Sequence, residues 1–70
     1  MMASEIFTVD QIHCAACETA IRKTLTRMDG VRDVDADSAS NRVTVRFDET
    51  AVGVEQIVER LSAAGYPVRP

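Results

Sequence analysis

The sequence predicts an α+β fold, a four-stranded antiparallel sheet with two helices on one face, in the order β-α-β-β-α-β. Three observations carry this prediction. The apolar period passes twice from two residues to about 3.6 and back. A short polar turn joins two alternating segments in mid-chain, and a glycine follows each helical stripe.

The first strand is "EIFTVD", Glu5 to Asp10. Phe7 and Val9 share one face, Thr8 and Asp10 the other, and Ile6 breaks the alternation. From Ala15 the period becomes helical, with Cys17, Ile21, Leu25 and Met28 at i, i+4, i+8 and i+11. Glu18 stands in the first turn, and Arg22, Lys23 and Arg27 follow, the order that suits the helix dipole. Asp29-Gly30 stops this helix, with Gly30 available for a left-handed cap.

"VRDVDAD", Val31 to Asp37, alternates at Val34 and Ala36. "SASN", Ser38 to Asn41, is a polar turn. "RVTVRFD", Arg42 to Asp48, is the clearest strand, with Val43, Val45 and Phe47 on one face and Arg42, Thr44 and Arg46 on the other. The second helix starts between Thr50 and Val54. Its stripe is Val54, Ile57, Val58, Leu61 and Ala64, and Gly65 ends it. The tail "YPVRP" is a short last strand, and Pro67, which cannot donate to a ladder, places it at a sheet edge.

This is the split βαβ, or ferredoxin-like, order. Right-handed crossovers favour the sheet order 4-1-3-2. Strand 4 then runs antiparallel beside strand 1, which brings Tyr66 near the segment that follows strand 1. Leu25, Met28, Phe47, Ile57 and Leu61 read as core.

At 70 residues the chain is expected to form a single domain, residues 1–70. The formal net charge of −3 argues against a general nucleic-acid binder. No apolar run approaches the roughly 18 residues of a membrane span. The N-terminus "MMASEIFTVD" lacks the charged start, apolar centre and cleavage site of a signal peptide. The expectation is a cytoplasmic protein that neither enters membranes nor binds nucleic acid.

Both cysteines and the only histidine lie in "QIHCAACETAI", Gln11 to Ile21. Cys14 falls in the strand-to-helix loop and Cys17 in the first helical turn. Unpaired N–H groups and the helix dipole stabilise anions there, which lowers thiol pKa values and favours thiolates. Two thiolates are a soft pair that suits Cu(I) in a nearly linear S–Cu–S unit. Such a unit leaves room for a third sulfur, so metal can pass by ligand exchange. Ala15 and Ala16 are small and let a partner approach. Structural zinc fits poorly, since it wants four tetrahedral ligands. His13 adjoins Cys14 awkwardly, and a carboxylate such as Asp10 or a second molecule would have to complete the set. A disulfide between Cys14 and Cys17 would close too small a loop to act as a staple. Redox exchange and plain packing of the thiols are the competing readings.

At "IHCAAC" the chain resembles a heavy-metal-associated domain, the copper-carrying module of bacterial copper chaperones and copper-exporting P-type ATPases. The resemblance runs through "MDGVRDVDAD", "RVTVRFD" and "VEQIVERLSAAGYPV". It implies that Cys14 and Cys17 ligate Cu(I), and that Tyr66 matches a tyrosine often found near the metal loop. It also implies a copper-transporting P-type ATPase metal-binding domain as partner, and a copper-responsive regulator as a further one. Gln11 and Ile12 replace the family's usual glycine and methionine. Ile12 can fill the volume of that methionine, which is a buried prop rather than a ligand. Gln11 loses glycine's freedom at positive φ.

His13 reads as an exposed loop residue with no ligand role, or alternatively as a tuning residue or an auxiliary ligand in a metal-bridged dimer. Tyr66 reads as an aromatic plug at the end of the second helix, compatible with shielding the metal. Arg22, Lys23 and Arg27 form either a solvated face, with a Glu18–Arg22 pair, or a weak docking patch for an acidic partner.

The leading expectation is therefore a non-enzymatic Cu(I) chaperone, monomeric without metal, with a Cu-bridged dimer through four thiolates as a metal-loaded alternative. Glutathione enters as a candidate third ligand. The other readings are an excised domain of a larger copper ATPase, a carrier for Hg(II), Zn(II) or Cd(II), and a small thiol–disulfide oxidoreductase. Length and the start methionine favour the free-standing chaperone over the excised domain. Against the oxidoreductase, Pro67 and Pro70 lie in the tail, not before a central strand.

Overall fold

A computed structural model describes residues 2–13 and 15–69. The chain folds as β1 (Met2–Thr8), α1 (Ala15–Thr26), β2 (Val31–Asp37), β3 (Arg42–Asp48) and α2 (Val54–Ala63). The strands form an antiparallel sheet in the order β1-β3-β2. Val34 lies opposite Val45 and Ala36 opposite Val43, all four buried. Phe7 and Phe47 lie on the same face, and Ile21 and Leu25 of α1 and Ile57 and Leu61 of α2, each fully buried, cover it, with Val9 in the same core cluster. On the opposite face Ser4, Ile6, Asp33, Asp35, Arg42 and Arg46 are exposed. Of the five residues expected in the core, Met28 is only half-buried, because α1 ends at Thr26 and leaves it in the following turn.

The hairpin strands have the limits the alternation predicts. β1 differs: it runs Met2–Thr8 rather than Glu5 to Asp10. Its length is set by its partner, since Met2 pairs with Asp48 and Thr8 with Arg42 across the whole of β3. Ile6 lies on the uncovered face and is 61% exposed, which accounts for its break in the pattern.

The expected fourth strand is also corrected. Among the described residues the sheet has three strands, and the tail adds one antiparallel bridge, Val9 to Val68. The Arg69 N–H donates to the Thr8 carbonyl at 2.8 Å. Pro67 has no N–H with which to extend the ladder. The bridge still lays the tail on the free edge of β1, so the chain runs back from Val68 to Tyr66 as β1 runs on from Val9 towards residues 10–13.

Gly65, at φ +93°, follows the cap of α2 as expected, whereas α1 stops at Thr26, short of the expected stop at Asp29-Gly30, and Gly30, also at φ +93°, lies in the turn that leads into β2. After α2 the Tyr66 N–H donates to the Leu61 carbonyl at 2.8 Å and the Gly65 N–H to Ser62 at 3.1 Å, the two bonds of a Schellman cap. At the start of α2 the Gln56 Oε1 accepts the Gly53 N–H at 2.7 Å. Among the described residues no helix is long and apolar enough to cross a membrane.

After β3, the Asp48 carboxylate accepts the Thr50 hydroxyl at 2.6 Å and the Thr50 N–H at 3.0 Å. These bonds, the hydroxyl first, hold its pKa at about 2, below the ordinary 3.8. The carboxyl is depressed in the folded state, so its contribution to stability is complete above pH 3.8 and is lost as the pH falls towards about 2. Thr50→Val, which removes the hydroxyl donor, is expected to move the Asp48 titration back towards 3.8 in a carboxyl-carbon NMR titration.

Candidate metal centre

The segment between β1 and α1 is anchored from below. Ile12 is 2% exposed and belongs to the core cluster, while Asp10, Gln11 and His13 on either side are exposed. Ile12 therefore occupies the prop position that its volume suggests. Gln11 keeps out of the left-handed region, since Asn41 is the only non-glycine at positive φ among the described residues. A side chain at position 11 thus costs the loop no backbone strain.

α1 begins at Ala15, directly after position 14, so Cys17 lies in its first turn. Cys17 is half-buried and packs against the core cluster. Cys14 lies outside the described residues. Ala15 and Ala16 are exposed, which leaves the helix start open to approach. The first N–H groups of α1 have no carbonyl of an earlier turn to meet, and they supply positive potential at this end. Tyr66 is half-buried, packs against the same core cluster and is brought back towards this end of the molecule by the tail.

Two ties that the sequence reading missed reach this segment from the turn between β2 and β3. The Asn41 amide Nδ2 donates to the Ile12 carbonyl at 3.0 Å and lies 3.5 Å from the Asp10 carbonyl. On the helix side, the Glu18 carboxylate accepts the Ser38 N–H at 2.6 Å. No ion pair joins Glu18 to Arg22 among the described residues, so the expected pair along the helix is not made. A charge-assisted bond to a backbone N–H is stronger than an exposed i, i+4 pair. Asparagine at the end of "SASN" is a local signal for a left-handed turn residue, but nothing in the sequence names the carbonyls it would reach.

Asp10, a carboxylate that zinc would have needed, is engaged by Arg69 at 3.0 Å. Both side chains are about half exposed, so this pair contributes little to stability. Among the described residues no three His, Cys, Asp or Glu side chains lie close enough together to hold a metal ion. Arg22, Lys23 and Arg27 are exposed. Arg22 lines a shallow groove with Asp33 and Asp35, whereas Arg27 lines another with Gln56 and Arg60, so the two arginines serve different grooves.

Residues 6–67 match the family model of the heavy-metal-associated domain. The chain is 31% identical over 67 residues to the copper chaperone CopZ of Staphylococcus aureus, covering 96% of this chain and 98% of that one. Its fold superposes on oxidized MerP from Ralstonia metallidurans CH34 with a TM-score of 0.92 at 25% identity, covering 99% and 96% of the two chains. It superposes on the water-soluble region of the P-type ATPase CopA from Bacillus subtilis with a TM-score of 0.90 at 34% identity, covering 97% of this chain and 45% of that one.

Proposed function

The chain belongs to the heavy-metal-associated domain family, and from that premise we propose that it is a single-domain copper(I) carrier rather than an enzyme. Cys14 and Cys17 bind Cu(I) as thiolates and pass it by ligand exchange to the metal-binding domain of a copper-transporting P-type ATPase. The observation that carries this reading is the start of α1 immediately after position 14, with Cys17 in its first turn. Two thiolates around Cu(I) leave one net negative charge, and the N–H groups at the helix start offset it.

In this reading transfer begins when a thiolate of the partner adds to the two-coordinate metal. One of the carrier's thiolates then leaves, and the step repeats. The metal keeps its oxidation state and is never released as a free ion. The exposed Ala15 and Ala16 offer little steric resistance to the incoming partner. Tyr66 screens the site from water on the side of the tail. His13, exposed beside Cys14, tunes the site rather than completing it. Arg22, Lys23 and Arg27 give weak steering towards an acidic partner. The copper-free form is a monomer that works in the cytoplasm.

The test is transfer under anaerobic conditions. Protein loaded with one Cu(I) per chain is mixed with the copper-free metal-binding domain of a P-type ATPase, in the presence of a Cu(I) chelator that cannot form the mixed complex. Copper is expected to reach the domain faster than it reaches the chelator. Capture of all the copper by the chelator first would mean dissociative release and would reject the exchange mechanism. Copper-independent turnover of a glutathione mixed disulfide would instead identify an oxidoreductase.

A further inference from the structure

Asn41 stands at φ 57°, a conformation that glycine would take without cost. Its side chain does work that glycine could not do. The amide reaches out of its own turn to the carbonyls of Ile12 and Asp10, 29 and 31 positions earlier in the chain. The 3.0 Å bond to Ile12 is the stronger, and the 3.5 Å approach to Asp10 is at the limit of a hydrogen bond. Two carbonyl oxygens facing one amide fix its orientation, because only the NH2 end can donate. The Asn41 carbonyl in turn accepts the Val9 N–H at 2.8 Å, so backbone and side chain both hold the exit from β1. Three residues earlier in the same turn, the Ser38 N–H holds Glu18 on the first turn of α1. The β2–β3 turn therefore grips the cysteine segment on both flanks.

We infer that Asn41 is a positioning residue for the metal loop, and that its amide restrains residues 10–12 and so slows the loss of Cu(I). The part concerning copper rests on the reading of Cys14 and Cys17 as the Cu(I) ligands. Opening of the loop that carries the ligands eases loss of the metal, and one partly buried hydrogen bond that opposes this opening is worth about a three- to tenfold change in its equilibrium.

The experiment compares the full chain with Asn41→Gly, which keeps the left-handed backbone and removes only the amide, and with Asn41→Asp, which sets a carboxylate against the two carbonyls. Nitrogen-15 order parameters are measured on the copper-free proteins. The rate of Cu(I) loss to excess bicinchoninate is measured on the loaded ones. Asn41→Gly is expected to lower the order parameters of Gln11, Ile12 and His13, leave those of Val43 and Val45 unchanged, and speed copper loss about three- to tenfold. Asn41→Asp should do more of both. Wild-type order parameters at residues 11–13 in Asn41→Gly would overturn the inference. Lowered order parameters with an unchanged rate of copper loss would overturn its functional half. If the wild type bound no Cu(I), the carrier reading would fall, while the copper-free measurement would still decide whether Asn41 restrains the loop.

Discussion

Cys17→Ser is expected to weaken Cu(I) binding by at least about a thousandfold, or about 4 kcal/mol. Serine is close in size to cysteine but remains a neutral alcohol at any pH the protein tolerates. It offers Cu(I) a hard oxygen in place of a soft thiolate. In the proposed copper site the substitution also removes the charge of a metal-bound thiolate, which the N–H groups at the start of α1 would offset. A single remaining thiolate cannot form the linear two-sulfur unit without borrowing a ligand from solution. Cys14→Ser should lose affinity to the same extent, because in a two-ligand site each ligand is half of the coordination. Cys17 is half-buried against the core, so its replacement also carries a folding cost. That cost is about 1 kcal/mol for exchanging a thiol for a hydroxyl at a partly covered site. Circular dichroism at 25 °C should therefore be unchanged while copper is lost. The measurement is an anaerobic titration against a competing chelator for the wild type and both variants. Tight binding that survived either substitution would rule out the paired-thiolate site.

The elements legible in the sequence are those whose burial is decided by their own periodicity. Val43, Val45 and Phe47 alternate without interruption, and β3 and β2 begin and end where the pattern does. Ile21, Leu25, Ile57 and Leu61 mark the inward faces of both helices. The elements at the chain ends were less legible because their limits are set elsewhere. β1 is as long as β3 allows, and among the described residues the tail forms one bridge, at Val68, because Pro67 interrupts its donors. At the candidate site, the place of Cys17 in the first turn of α1 could be read directly, since it depends on neighbours in sequence. The hold of Asn41 on Ile12 could not, because it joins segments 29 positions apart through a side-chain amide. Glu18 shows the same limit from the other direction. The local i, i+4 rule assigned it to Arg22, and a backbone N–H from a distant turn bound it more strongly.

Gly30→Ala is expected to destabilise the fold by about 3–4 kcal/mol, a large share of the roughly 4–10 kcal/mol available to a domain of this length. Two costs add. At φ +93° an L side chain is strained whatever space surrounds it. A methyl group here would also stand 2.8 Å from the Ala51 Cβ and 3.0 Å from the Val52 Cγ1, closer than carbon atoms tolerate. Neither neighbour can yield freely. Val52 is 4% exposed, and the Ala51 and Val52 N–H groups are both bonded to the Asp48 carbonyl. Nor can Gly30 rotate away, since its own carbonyl accepts the Asp48 N–H at 2.7 Å. Gly65→Ala is the control. Gly65 has the same φ, but nothing lies within 4 Å of its would-be methyl group. It should lose only the conformational part, about 1–2 kcal/mol. Urea unfolding of the two variants separates the terms, and equal losses would mean that the chain leading into α2 gives way without cost. Gly30 lies beyond the C-terminal end of α1, away from Cys17 at its start. Below its lowered midpoint, Gly30→Ala should therefore bind Cu(I) as the wild type does, whereas Cys17→Ser should keep its fold and lose the metal.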